Sequence, residues 1–409
     1  MAGPDTLLGL DIGTTTVAAV LGGRGQRVRL LGAASVPCSG LKRGIVVDVP
    51  ETTQAIREAV AKAQRMAGVE LEAAWVGITG QHIASLNARG HIQLPRANRQ
   101  VSWADVERVM AAAVNAVSIP PDRQMIHAIS RGFTIDDEPR VRNPVGLSAT
   151  RLSVETHVIT ASRNLVENVT KCVEQSGISV AELVAEPLAA ADAVLTEDEQ
   201  ELGVLLIDVG GGTTDLALFL EGSNALTGAV TAAGNNVTHD LAVALGVTHP
   251  VAEQIKLAHG CARAALVPED ELISVPGEDD EASVSRRFVA EVIEARVEET
   301  FRLVAQEMGR LGDRWPPPGG AVLTGGGSLL PSIASVARDI LGCRTRLGRP
   351  RVAAGPMDLL ESPSLATGVG LVYYAQREAE SRRAEPRRGL RVVPIFGRII
   401  AWARELFSS

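Results

Sequence analysis

The sequence predicts an α/β protein made of two duplicated halves, with an α+β subdomain inserted in the first. Three observations carry that prediction. The pattern Asp-x-Gly followed by small polar residues occurs twice, as Asp11-Ile12-Gly13-Thr14-Thr15-Thr16 and as Asp208-Val209-Gly210-Gly211-Gly212-Thr213-Thr214-Asp215. Each copy joins two apolar runs, so each reads as strand, tight polar turn, strand. Each is followed by further strands and then by helices, and only the segment 82–162 breaks that rhythm.

The elements follow in order. Residues 6–37 read as three strands, and Pro50 to Gly68 as a helix with Thr52 and Thr53 near its start and Gly68 at its end. Ala74 to Thr79 is a strand. The inserted segment holds strand-like runs, turns rich in Pro and Asp, and one helix from Ser102 to Val117 with Asp105 in its first turn. Asn164 to Gly177 is a helix and Val180 to Val184 a strand. The run Glu186-Pro187-Leu188-Ala189-Ala190-Ala191 then puts Glu186 at a helix start, because proline suits the first turn. Strands at 204–208, 214–220 and 226–232 repeat the opening, and two helices follow. Pro268 to Glu281 reads as an exposed acidic loop. Ser283 to Gly312 reads as one amphipathic helix, with Phe288, Val289, Val292, Ile293, Val297, Phe301, Val304 and Met308 at helical spacing. Strand Ala321-Val322-Leu323 runs into Gly325-Gly326-Gly327-Ser328, a glycine turn opening a helix at Leu329.

Composition narrows the function. A chain of 409 residues with 45% apolar content has room for more than one sizeable core. A net charge of −8 argues against a general nucleic-acid binder. The four cysteines, Cys38, Cys172, Cys261 and Cys343, lack paired spacing, which fits a reducing cytosol better than zinc or disulfides. No N-terminal signal pattern and no run of 18 apolar residues stands out. GxxxxGK[ST], HExxH and GxSxG are all missing, so a P-loop is not the phosphate site.

The paired turns have the chemistry of a polyphosphate grip. Glycine lets the backbone approach a bulky anion, and exposed N–H groups and Thr hydroxyls donate to phosphate oxygens. An aspartate beside phosphate needs a hard cation between them, and Mg²⁺ binds through one or two carboxylates, water and substrate phosphates. Asp11 and Asp208 suit that duty. Either copy alone reads equally well as an ordinary hairpin turn; two copies at corresponding places favour the phosphate reading. Glu253 and Lys256 alone read as a solvated i,i+3 ion pair.

Taken in order, the Asp11 turn, Glu186-Pro187, the Asp208 turn, Glu253-x-x-Lys256, Gly325-Gly326-Gly327-Ser328 and Ser364-x-Ala366-Thr367-Gly368 resemble the actin/Hsp70/sugar-kinase superfamily. Within it, the chain resembles the FtsA family of bacterial cell-division actin homologues. Gly132-Phe133-Thr134-Ile135-Asp136 and Asn143-Pro144-Val145-Gly146-Leu147-Ser148 are similar to signatures of that family's extra subdomain, as are Ala252-Glu253-Gln254-Ile255-Lys256 and Val292-Ile293-Glu294-Ala295-Arg296 to others of its segments. The resemblance implies an actin-like ATPase fold of two ribonuclease-H-like halves. It places the first half at 1–81, 163–202 and 356–376, the insertion at 82–162, and the second half at 203–355, with a smaller lobe at about 234–312. It implies ATP with Mg²⁺, the ion oriented by Asp11 and Asp208. Gly13, Thr14, Thr15, Gly210, Gly211, Gly212 and Thr213 would hold phosphates, and Glu186 would place the attacking water. Glu253 and Lys256 would face ribose or adenine, with Gly325, Gly326, Gly327 and Ser328 opposite. Many relatives carry a lysine where this chain has Thr16, so some phosphate neutralisation is missing. The activity implied is weak ATP hydrolysis at most, in a scaffold. A type IV pilus platform protein or a sugar kinase shares the fold. An Hsp70-type chaperone needs a large domain after the ATPase.

The C-terminal region adds a membrane expectation. Residues 377–393 read as a charged linker, and 394–409 as a short amphipathic helix. Ile395, Phe396, Ile399, Ile400, Trp402, Leu406 and Phe407 share a face about 160° wide, flanked by Arg398 and Arg404. Between Ser381 and Ser409 seven arginines stand against two glutamates. A helix about 21 Å long is too short to cross an apolar core of about 30 Å, so it suits the surface of an anionic bilayer. The alternative is docking on the parent fold. With the resemblance, this implies a peripheral protein on the cytoplasmic membrane at the division site. It would self-associate into filaments, bind the C-terminal peptide of FtsZ near Arg296 and Glu299, and meet other division proteins through 82–162.

Overall fold

A computed structural model of the chain describes residues 6–23, 29–94, 99–276, 281–309, 315–352 and 361–384. The first half opens with an antiparallel meander: β1 (Thr6–Ile12), β2 (Thr16–Gly23) and β3 (Arg29–Pro37). A small ribbon of β4 (Leu41–Lys42) and β5 (Ile45–Val46) precedes helix α1 (Val49–Ala67) and β6 (Ala73–Ile78). Asp48 starts α1 by accepting from the Glu51 N–H at 2.9 Å, and Gly68 ends it with φ of 67°.

The insertion supplies β7 (Ala84–Gln93), β8 (Arg99–Gln100), α2 (Trp103–Asn115), β9 (Arg123–Ile135), β10 (Glu138–Val141), β11 (Ser148–Ala149) and β12 (Arg151–Ser162). The chain then returns through α3 (Arg163–Gln175), β13 (Ser179–Ala185), α4 (Glu186–Val194) and α5 (Glu197–Leu202). The second half runs β14 (Val204–Val209), β15 (Thr214–Leu220), β16 (Ser223–Val230), α6 (Gly234–Leu245), α7 (His249–His259), β17 (Leu272–Pro276), β18 (Glu281–Ser285) and α8 (Arg286–Gly309). It closes with β19 (Ala321–Thr324), α9 (Ile333–Leu341), β20 (Thr345–Leu347) and a last helix, α10 (Ala366–Ala384).

The two main sheets have one wiring. Their orders are β13-β6-β1-β2-β3 and β16-β15-β14-β19-β20, each an antiparallel meander extended by two parallel strands. Alternation along the strands fills three layers. Leu8, Leu10 and Ile12 pack with Ile56, Ala59 and Val60 of α1 and Cys172 and Val173 of α3. Leu205, Ile207 and Val209 pack with Leu241, Ile293, Phe301 and Val336 on the far side of the second sheet. Between the sheets lie α4 and α10, where Leu188 to Ala191 and Val369 to Val372 meet Leu7, Val20, Leu206 and Ala217.

The described chain forms two compact units. The larger takes Met1–Asn87, Ile119–Ile129 and His157–Gln376, and so contains both duplicated sheets. The smaller takes Ala88–Ser118 and Ser130–Thr156. It has its own core, in which Val109, Met110 and Ala113 of α2 pack with Phe133, Ile135, Leu152 and Val154. Gly90 permits this packing, since a Cβ there would overlap the backbone of Val109 and Ala113.

Several expectations need correction. The acidic loop at 268–281 contains β17, paired with β18 from Leu272↔Ser285 to Pro276↔Glu281. Ser283 therefore belongs to a strand, and the long helix begins at Arg286. Phe288, expected on the buried stripe, is 42% exposed, because the stripe is carried by Val289, Ile293, Val297 and Phe301. Gly326–Leu329 is a 3-10 turn, and the α-helix starts only at Ile333. The stretch expected as linker continues α10 to Ala384, its glutamates, arginines and alanines being good helix formers. The amphipathic tail, with Ile395, Phe396, Arg398, Ile399, Ile400, Trp402, Arg404, Leu406 and Phe407, lies outside the described residues. No helix among the described residues is long and apolar enough to cross a membrane.

Candidate functional site

The duplicated turns close in the same way. The Gly13 N–H donates to the Thr16 carbonyl at 2.9 Å, and the Gly210 N–H donates to the Thr213 carbonyl at 2.9 Å. Asp11 sits opposite Ala18 in the first hairpin, whereas Asp208 sits opposite Asp215 in the second. The tips meet: a Cβ on Gly211 would overlap Thr15, and one on Gly212 would overlap Thr14. The structure thus brings Thr14 and Thr15 of the turn that Gly13 begins against Gly212 and Gly211 of the turn closed by Gly210 and Thr213.

Four carboxylates converge beneath these tips. Glu186 begins α4, where Pro187 suits the first turn. It lies on Gly77 of β6, whose Cβ would come within 2.9 Å of the Glu186 Cγ. Its Oε1 is buried with no hydrogen-bond partner. Asp208 accepts from the Thr367 hydroxyl at 2.9 Å. Gly325 has φ of 81°, and a side chain there would overlap Asp208 Oδ1 and the Val209 carbonyl. Asp215 accepts from the Thr213 hydroxyl at 3.0 Å and from the Gly80 N–H, and Thr213 is 3.3 Å from Thr79 Oγ1 at the end of β6. Ser328 donates to the Gly325 carbonyl at 2.7 Å and is buried.

Enclosure and mutual repulsion hold these acids toward their neutral forms. Burial, then Asp208 and Asp215, push Asp11 up to about 8. Burial and then Asp215 push Asp208 up to about 7, against the Thr367 hydrogen bond. Burial pushes Asp215 up to about 6. Burial, followed by Asp11, Asp215 and Asp208, pushes Glu186 well above the ordinary carboxylate range. Full ionisation of this set calls for a cation. Among the described residues, no three His, Cys, Asp or Glu side chains converge closely enough to hold a metal directly. The set therefore fits an ion that keeps most of its own water.

Glu253 and Lys256 are an ion pair at 2.7 Å, as the spacing alone suggests, but they are also tied to the second turn. Lys256 Nζ donates to the Thr238 hydroxyl at 2.9 Å and the Gly234 carbonyl at 3.3 Å. Gly234 and Asn235 in turn donate to the Gly210 and Gly211 carbonyls at 3.1 and 2.8 Å. Arg296 and Glu299 lie elsewhere, on α8, ion-paired at 2.6 Å, with Arg296 also on Asp240 of α6 at 2.5 Å.

Asp215, Thr79 and Thr367 were not singled out by the sequence reading. Asp215 was legible in principle: counting outward from the Gly210–Thr213 turn pairs it with Asp208 across the hairpin. Thr79 ends an ordinary apolar strand and carries no local signal. Thr367 stood inside a noted motif, without a role.

Comparison with known proteins gives a consistent picture. The model of the family "Cell division protein FtsA" matches residues 205–370, and that of "SHS2 domain inserted in FTSA" matches residues 80–160. Cell division protein FtsA of Pseudomonas aeruginosa is 42% identical over 373 residues, 90% of this chain and 88% of that one. FtsA of Escherichia coli K12 is 34% identical over 416 residues, 98% of each chain. Among solved structures, a PilM-PilN type IV pilus biogenesis complex is similar with a TM-score of 0.65 at 19% identity, covering 90% of this chain and 98% of that one. MreB5 of Spiroplasma citri bound to ADP is similar with a TM-score of 0.55 at 15% identity, covering 94% and 99%. At such identities the likeness is one of fold.

Proposed function

The chain belongs to the FtsA family of actin-like cell-division proteins, and from that premise we propose that it is a magnesium-ATP-dependent scaffold that tethers FtsZ to the cytoplasmic membrane. The observation that carries the nucleotide part is the convergence of two identically closed turns over Asp11, Asp208, Asp215 and Glu186. Two structures of Spiroplasma citri MreB5, one bound to ADP and one bound to AMPPNP, agree with it.

In this reading the N–H groups and hydroxyls of Gly13 to Thr15 and Gly210 to Thr213 hold the phosphates. Magnesium, when bound, neutralises phosphate charge. Asp11 and Asp208 would hold the ion through its bound water. The unpartnered Oε1 of Glu186 accepts a hydrogen bond from a water aimed at the terminal phosphate, and burial among the other acids raises its affinity for that water's proton. Lys256 and Glu253 face the ribose or base, with Gly326, Gly327 and Ser328 opposite. Hydrolysis is slow, and the nucleotide acts as a switch for self-association on the membrane. FtsZ docks near Arg296 and Glu299, other division proteins meet the inserted subdomain, and 394–409 anchors the polymer to anionic lipid at the division site.

The test is a pull-down on immobilised C-terminal peptide of FtsZ, with and without magnesium-ATP, using wild type and Asp208→Ala. Wild type is retained, and ATP alters its retention; Asp208→Ala is retained but no longer responds to ATP. A wild-type chain that passes through unretained would refute the tethering role, and an ATP response intact in Asp208→Ala would refute the role of Asp208.

A further inference from the structure

The acids gathered in the site leave a question of charge. A triphosphate paired with one divalent ion is still an anion, and the acids gathered beneath the turns carry the same sign. Lys256, the cation tied to the second turn, is neutralised by Glu253. The ribbon of β4 and β5 holds a cation that is not. Its strands pair Leu41↔Val46 and Lys42↔Ile45, so Arg43 and Gly44 form a two-residue turn. Their φ values are 52° and 75°, both positive, as a type I′ hairpin requires. Asn-Gly is the inexpensive solution for that turn. Arginine in the left-handed region is strained, and such strain gathers at functional positions.

The turn is also built into the site. The Gly44 N–H donates to Thr14 Oγ1, in the first phosphate turn, at 3.0 Å. A Cβ on Gly44 would meet the Thr79 carbonyl at 2.9 Å and the Gly80 Cα at 3.1 Å. Gly80 in turn donates its N–H to Asp215. The same strand, β6, carries Gly77 under Glu186. The turn therefore bridges the first phosphate turn and the Thr79–Gly80 segment beside Asp215. Arg43 is exposed, and among the described residues its guanidinium has no ion-pair or hydrogen-bond partner.

We propose that Arg43 binds the terminal phosphate of the nucleotide, supplying positive charge to the site from the β4–β5 turn. The proposal rests on the nucleotide reading above. Arginine suits the task because its planar fork meets phosphate oxygens in pairs and its charge does not titrate. It also predicts discrimination: ATP should gain more from Arg43 than ADP, and adenosine nothing.

The test measures binding of ATP, ADP and adenosine to the full chain with magnesium, for wild type, Arg43→Asn, Arg43→Lys and Lys42→Ala. Asparagine is favoured in the left-handed turn, so Arg43→Asn removes the charge while leaving the melting temperature equal or higher. It should weaken ATP roughly tenfold, the value of one charge-assisted contact. ADP should weaken less and adenosine not at all. Arg43→Lys should recover part of the loss, and Lys42→Ala should match wild type. An unchanged ATP-to-ADP preference in Arg43→Asn would overturn the assignment, as would an equal loss in Lys42→Ala. Failure of wild type to bind ATP would bring down the nucleotide reading itself, a result distinct from either.

Discussion

Asp11, Asp208 and Asp215 are protonated in the ligand-free fold at pH values where free carboxylates are ionised. The folded chain therefore binds more protons than the unfolded chain between the ordinary value of 3.8 and the raised values of about 6 to 8. Stability contributed by these groups falls as pH rises through that window and levels off above it. Urea midpoints of the nucleotide-free protein should decline from pH 5 to pH 8, and Asp208→Asn should flatten the decline. A wild-type midpoint that holds or climbs across that range would contradict the picture. Magnesium-ATP should act in the opposite sense, binding more tightly as pH rises, because the ion needs the deprotonated acids.

The two central helices depend on small residues. A Cβ on Gly370 of α10 would overlap the Ala189 carbonyl of α4, and one on Gly9 of β1 would meet the Gly368 carbonyl at 2.7 Å. Gly370→Ala should cost about 1–3 kcal/mol by overpacking, despite alanine's better helix propensity, and a thermal melt equal to wild type would show that the helices can part freely. Such contacts were not legible in the sequence, where Gly368 and Gly370 are two glycines in an apolar run. The hairpins were legible, because apolar runs on either side of Asp-x-Gly are a local signal. So was the start of α4, from Glu186-Pro187. The β17–β18 hairpin was hidden because acidic residues and Gly277 mask the short alternation of Leu272, Ile273, Ser274 and Val275. The reach of Thr79, Gly80 and Thr367 into the site was hidden for a different reason: each comes from a distant segment and acquires its partner only when the sheets assemble.

At the scale of the molecule, the proposed membrane role rests on 394–409, outside the described residues. Removal of 394–409 should abolish co-sedimentation with anionic liposomes while leaving ATP binding intact; undiminished pelleting would rule out the anchor. A single interfacial helix holds weakly, and several in one assembly hold far better, so wild-type pelleting should rise steeply with protein concentration while the truncated chain stays in solution.

The hairpin pairs Ala18↔Asp11 and Asp215↔Asp208 have one more consequence. A perfectly duplicated cleft would have a two-fold axis and would accept its ligand either way round. One extra carboxylate on a single side removes that equivalence, so the halves repeat in backbone while the cleft has a direction. In the proposed self-association, a filament of such subunits would inherit a chemical front and back at every nucleotide site.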